Sequence, residues 1–183
     1  MVLIILLIIP STRTEVTSFF IKLTSLPPSS MDQDDRFKVS EQTNSWLVYD
    51  MKGTPIKFSE LNKKPVFLNF WATWCPPCVK EIPHFNDLAK KYGKDGLVVL
   101  GVSVDRGGID AVKKFKKKTS IDYTVVFSDA STQSNYQALL PKDMRGGIPY
   151  TFVIDRTGKV TDYYVGYRPM EVFVNAITPL LGS

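Results

Sequence analysis

The sequence is poor in the residues that hold metals and staple small folds. Histidine occurs once, as His84, and cysteine twice, as Cys75 and Cys78, in 183 residues. A structural zinc site takes four ligands and a catalytic one usually three from the protein, so the ligand count argues against zinc. A disulfide framework needs several spaced pairs, and here both thiols sit at one place. Long apolar runs are missing too. Val2–Ile9 and Phe19–Leu23 are separated by the polar STRTEVTS, and neither approaches the roughly 20 residues that cross a bilayer as a helix. Charge of one sign is not in excess: 23 Lys and Arg against 18 Asp and Glu leave +5, too modest and dispersed to imply nucleic acid without a supporting motif. There is no internal repeat. What is present, 44% hydrophobic and 22% charged residues, is the make-up of a globular core. The length suits one domain with a tail and excludes a two-domain enzyme.

The tail comes first. A secretory signal carries a basic region ahead of its apolar stretch and a small-residue cleavage site behind it. The basic region is absent before Val2–Ile9, which leaves a shortened signal, an extension foreign to the domain, or a weak amphipathic anchor. No cysteine lies nearby to carry a lipid. From Pro27 to Asn44 the chain turns to Pro, Ser, Asp, Gln and Thr, the composition of a linker. Residues 1–43 therefore read as a targeting or anchor-like segment with its linker, and residues 44–183 as the folded domain.

Within the domain the hydrophobic pattern changes period repeatedly. Trp46–Asp50 and Pro55–Phe58 flank the turn MKG as a hairpin. Pro65–Ala72, PVFLNFWA, is an almost continuous apolar run of strand length, suited to a strand buried on both faces. Ile82, Phe85, Leu88 and Ala89 then recur at helical spacing up to Gly93, a helix stop. Leu97–Val104 predicts a second buried strand, Ile109–Thr119 a helix, Tyr123–Asp129 a third strand and Gln133–Leu139 a short helix. TFVID, the turn RTGK and VTDYYVG predict an antiparallel hairpin, and Pro169–Leu181 a closing helix. Strands alternating with helices and ending in a hairpin give an α/β domain with a mixed central sheet. The lysine run Lys113–Lys118, with Val112 and Phe115 as its inward face, reads as a solvated helix face; docking to an acidic partner or anionic lipid is the alternative. His84 reads as a partly exposed helix residue rather than a proton donor.

The chemistry lies in WCPPC, Trp74–Cys78, where the buried strand gives way to a helix. A thiolate at a helix N-terminus is stabilised by free backbone N–H groups and by the positive end of the helix dipole. Cys75 is the predicted nucleophile, forming a mixed disulfide with substrate, and Cys78, one turn on and more buried, resolves it. Pro76 and Pro77 are tolerated because first-turn N–H groups have no intrahelical partner to lose. They also remove two donors from the neighbourhood of Cys75. Its thiolate is then less stabilised than in oxidising C-x-x-C proteins, and the pair should act as a reductant.

FLNFWATWCPPCVKEIP (Phe67–Pro83), GVSVD and GGIPYTFVIDRTGKV, in that order, resemble the thioredoxin superfamily and, within it, the TlpA/ResA-like thiol-disulfide oxidoreductases. The resemblance covers about Asn44–Ser183. It implies a thioredoxin fold with an N-terminal hairpin and a central strand-and-helix insertion, placed at Leu97–Asp129. Pro149 matches the cis-proline that faces the cysteines, with Ile148 before it offering backbone hydrogen bonds to an extended substrate. X-Pro bonds are where a cis peptide is inexpensive. Glu81 matches the family's acidic residue three positions after the second cysteine, able to shuttle the Cys78 proton; an exposed first-turn carboxylate is the alternative. Asn69 stands where plain thioredoxin has a buried acid, and an amide does not exchange a proton near neutrality. Trp74, with Pro76 and Pro77, would form the substrate-facing surface, and Trp71 would pack in the core.

The resemblance implies an enzyme that exchanges thiols and disulfides, without metal or other cofactor. Its partners would be disulfide-containing proteins, such as the apocytochromes or copper-site proteins of some relatives, and an upstream thiol reductant. It also implies an extracytoplasmic location, in the periplasm or at the outer face of the membrane, where the N-terminal segment could serve as a tether; a cytoplasmic location is the alternative. Two other functions compete. A thiol peroxidase would use a nearby Thr and Arg, and Thr73 is close to Cys75 in sequence. A non-enzymatic module would use the two cysteines as thiol or copper ligands.

Overall fold

The computed structural model describes residues 47–61 and 63–182. Residues 1–43, Asn44 and Trp46 lie outside the described residues, and so do the expectations placed on them.

The centre of the molecule is β3, Val66–Trp71, whose six residues are all buried. It pairs in parallel with β4 (Val98–Ser103) in the register Leu68 to Leu100, and antiparallel with β6 (Tyr150–Ile154), Asn69 facing Thr151. A strand covered on both faces has no polar side to display, which is why PVFLNFWA lacks the alternation of a surface strand. β5 (Thr124–Phe127) adds in parallel to β4. The hairpin β1 (Leu47–Asp50) and β2 (Pro55–Lys57) closes that side through an antiparallel β1–β5 pairing. β7 (Val160–Val165) closes the other. The resulting seven-stranded order is β2-β1-β5-β4-β3-β6-β7, a mixed sheet.

Alternation along β3 divides the core. Phe67 and Trp71 point to the side covered by α1 (Pro76–Tyr92), α2 (Gly108–Lys116) and α4 (Met170–Leu181), where Ile82, Phe85, Leu88, Val112, Phe173 and Ile177 are buried. Phe67 meets Phe85 and Phe173 with ring centroids 5.2 and 5.1 Å apart. Val66, Leu68 and Phe70 point to the opposite side, against Tyr136 and Leu140 at α3 (Ala130–Leu139) and Phe58. Trp71 is core packing, with its ring 6.0 Å from that of Phe115.

Most predicted elements are present, with shifts at their ends. α3 begins three residues before Gln133 because Asp129 caps it, its carboxylate accepting from the Thr132 N–H at 2.7 Å. α2 ends at Lys116 rather than Thr119, and its lysines are exposed around buried Val112. Leu97–Asp129 holds β4, α2 and β5, while α3 follows beyond it.

Candidate active site

Cys75 is the N-cap residue of α1, in extended backbone (φ −97°, ψ 103°), and its Sγ accepts from the Cys78 N–H at 3.4 Å. Pro76 and Pro77 occupy the first two helical positions, so the nearest amides that could have pointed at the sulfur are missing. The two cysteines are joined as a disulfide with Cα atoms 5.3 Å apart. Cys78 is the deeper partner, 1% exposed against 4% for Cys75. Trp74, in contrast, is 65% exposed, and Pro76 and Pro77 are exposed beside it.

The Ile148–Pro149 peptide bond is cis. It brings the Ile148 carbonyl oxygen to 3.8 Å from Cys75 Sγ, so two segments 73 residues apart in sequence meet at the sulfur.

Glu81 lies one helical turn beyond Cys78 and is 1% exposed, so the alternative of an exposed first-turn carboxylate does not hold. Its Oε1 accepts from the Arg168 backbone N–H at 2.7 Å, while Oε2 is buried without a hydrogen-bond partner. Burial pushes the Glu81 carboxyl up to about 8, against the opposing pull of the Arg168 N–H and guanidinium. Asn69 is buried and donates from Nδ2 to Thr151 Oγ1 at 3.0 Å. His84 is half-buried, and desolvation holds its imidazole below the usual value.

The turn before Cys75 is held from the loop that follows β4. Asp105 accepts from the Thr73 N–H at 3.2 and 3.0 Å, from the Thr73 hydroxyl at 2.6 Å and from the Ser103 hydroxyl at 2.9 Å. Arg168, Asp105 and Tyr123, the last buried with an unpartnered hydroxyl and raised by both burial and the Glu81 charge, went unread in the sequence. A signal existed for Asp105, the polar end of GVSVD. None existed for a backbone N–H donor at Arg168. Among the described residues no cluster of three or more His, Cys, Asp or Glu is placed to hold a metal.

A cysteine pair opening a helix, opposed by a cis-proline on a mixed sheet, defines a thiol-disulfide oxidoreductase of the thioredoxin superfamily. The model of the AhpC/TSA family matches residues 36–163. The thiol-disulfide oxidoreductase ResA of a Bacillus cereus strain is 32% identical over 148 residues, 79% of this chain and 82% of the relative. That of Geobacillus kaustophilus is 30% identical over 158 residues, 86% and 80%. Among solved structures, a putative thiol:disulfide interchange protein DsbE from Chlorobium tepidum superposes with a TM-score of 0.64 at 32% identity, covering 75% of this chain and 93% of that one. The chain belongs to the AhpC/TSA family and, within it, to the ResA-like thiol-disulfide oxidoreductases.

Proposed function

We propose that the protein reduces disulfides in protein substrates, with Cys75 as nucleophile, Cys78 as resolving thiol and Glu81 as the proton partner of Cys78. The observation that carries this is the placement of the cysteines: Cys75 at the mouth of α1 beside the cis-Pro149 segment, and Cys78 behind it on the turn that leads to buried Glu81.

The Cys75 thiolate attacks one sulfur of the substrate disulfide. That bond breaks, a Cys75–substrate disulfide forms, and the departing thiolate takes a proton from solvent. Cys78 then gives its proton to the Glu81 carboxylate and attacks Cys75 Sγ; the second substrate thiol leaves, and the Cys75–Cys78 disulfide is formed. Substrate gains two electrons and the protein loses them. An upstream dithiol reverses the last change, and Glu81 returns its proton to the departing Cys78 sulfur. A carboxyl raised to about 8 keeps its proton near neutrality and can return it to the departing Cys78 sulfur, while its ionised fraction accepts one from the Cys78 thiol.

One amide on Cys75 Sγ, where two more have been replaced by prolines, supports a reducing direction. Alkylation rate against pH should place the Cys75 pKa well above the strongly acidic range of oxidising relatives, and a value near about 4 would overturn the direction. Catalysed reduction of insulin by dithiothreitol should be lost in Cys75→Ser, while Cys78→Ser should hold substrate as a stable mixed disulfide. Trp74, Pro76, Pro77 and the Ile148 backbone are the proposed docking surface, supported by the exposure of the first three and the nearness of the Ile148 carbonyl to the sulfur.

The peroxidase alternative is disfavoured by Thr73, whose hydroxyl is committed to Asp105. Consumption of hydrogen peroxide by the reduced protein at a rate matching disulfide exchange would restore it. Similarity to the ResA and DsbE proteins supports an extracytoplasmic location, and the apolar run Val2–Ile9 supports attachment to a membrane there. No described helix is long and apolar enough to cross one. Protease accessibility in intact cells tests the location.

A further inference from the structure

The segment between β7 and α4 joins two parts of the site. Gly166 donates its N–H to the Pro149 carbonyl at 2.8 Å, and two residues later the Arg168 N–H reaches Glu81 Oε1 at 2.7 Å, 87 residues away in sequence. Gly166 takes φ +76°, a left-handed conformation open to glycine at no steric cost. Between them, Tyr167 lies against α1, with Lys80 Nζ 4.3 Å from its ring centroid and the His84 ring 5.9 Å away. Residues 166–168 thus form a strap from the cis-proline to the buried carboxylate. The Arg168 side chain does not reach into solvent: the residue is 8% exposed, Nη1 donates to the Tyr167 carbonyl at 3.0 Å, and Nε is buried without a partner.

A charged side chain is rarely buried unless its charge is used. Cys78 lies one turn before Glu81 on the same helix, and the groups that interact with the carboxyl are Tyr123 from the segment before β5 and Tyr167 and Arg168 from the strap. Of these only Arg168 carries a positive charge. His84, one turn along α1, interacts with the Arg168 backbone and with Lys80, Asp87 and Glu171.

We infer that Arg168 is a positioning residue of the exchange reaction: through the strap Gly166–Arg168 it fixes the Glu81 carboxylate and sets the pH at which that group exchanges a proton with Cys78. This rests on the reading of Glu81 given above. The backbone N–H at 168 holds one carboxylate oxygen in place, and the guanidinium favours the ionised form that accepts the Cys78 proton.

The test is the pH dependence of oxidation of the reduced protein by a disulfide-bonded peptide, in wild type, Glu81→Gln, Arg168→Gln, Arg168→Lys and the Glu81→Gln/Arg168→Gln double variant. Arg168→Gln should move the Glu81-dependent limb to higher pH by about one unit, read as a roughly tenfold slower reaction at neutral pH. Arg168→Lys should restore most of the loss, and the double variant should match Glu81→Gln alone. A wild-type profile in Arg168→Gln, a loss equal at every pH, or the same shift in the Glu81→Gln background overturns the inference while leaving Glu81 its role. A wild-type profile in Glu81→Gln removes that role, and the inference with it. If Arg168→Gln does not fold, Gly166→Ala serves. An added Cβ there meets no atom within 4 Å, so it strains the strap through φ alone and should move the limb the same way; a folded Gly166→Ala with the wild-type profile overturns the inference.

Discussion

Asp105 ties together two loops that the chain sets 32 residues apart. Its carboxylate accepts from the Thr73 backbone and hydroxyl and from the Ser103 hydroxyl, and Thr73 stands two residues before Cys75. Asp105→Ala leaves those donors without their acceptor in a half-buried place. Urea unfolding should show a loss of about 1–3 kcal/mol, and insulin reduction should slow because the turn presenting Cys75 loses its anchor. Asp105→Asn, which keeps one acceptor oxygen, should fall between. The cysteines were legible because their chemistry is local: two thiols, two prolines and a helix start within five residues. Asp105 was marked only as the polar end of GVSVD and Arg168 not at all, because each acts on a group brought close only by the completed sheet. Glu81 fell between these cases. Its spacing from Cys78 was readable, but its burial depends on Arg168, Tyr123 and the strap.

Among the elements, β4 shows how one small residue fixes the fit of two large ones. A Cβ on Gly101 would lie 2.6 Å from Tyr123 Cε2 and 2.9 Å from Trp71 Nε1, so these rings rest directly on the strand backbone. Gly101→Ala should destabilise the protein by about 1–3 kcal/mol through overpacking, seen as a lower thermal midpoint. The apolar run around it announced a buried strand but not which rings would press on it, since that is set by the β3–β4 register. Strands and α-helices were readable from period and length, but the 3-10 helices Phe58–Leu61, Gly93–Asp95 and Lys142–Met144 were not, and ends were readable only where the cap was. Gly93 was recognised as a stop. Asp129, the expected end of a strand, is instead the cap of the next helix.

For the molecule as a whole, Glu81 sets a pH dependence of stability. In the unfolded chain its carboxyl ionises near 4.5, in the folded oxidised protein near 8. Between those values the folded state holds a proton that the unfolded state has lost, so stability falls as pH rises through this window and is greatest, as far as this group decides, below it. The fall should amount to on the order of a few kcal/mol. Denaturant midpoints for the oxidised protein should therefore decline from mildly acidic to mildly alkaline pH, and Glu81→Gln should flatten the decline. A variant that keeps the full slope would place the titrating group elsewhere.

Trp74 gives the surface a different kind of asymmetry. Its indole stands 65% in water on a protein that keeps Phe67, Phe70, Phe85, Phe152 and Phe173 fully inside. Covering apolar surface is worth about 25 cal/mol per Å² whatever apolar group does the covering. A partner's grip on this indole would depend on how much loose hydrocarbon it can lay down rather than on a particular residue. Client breadth would then come from wetting, and selectivity would be left to the backbone pairing beside Pro149.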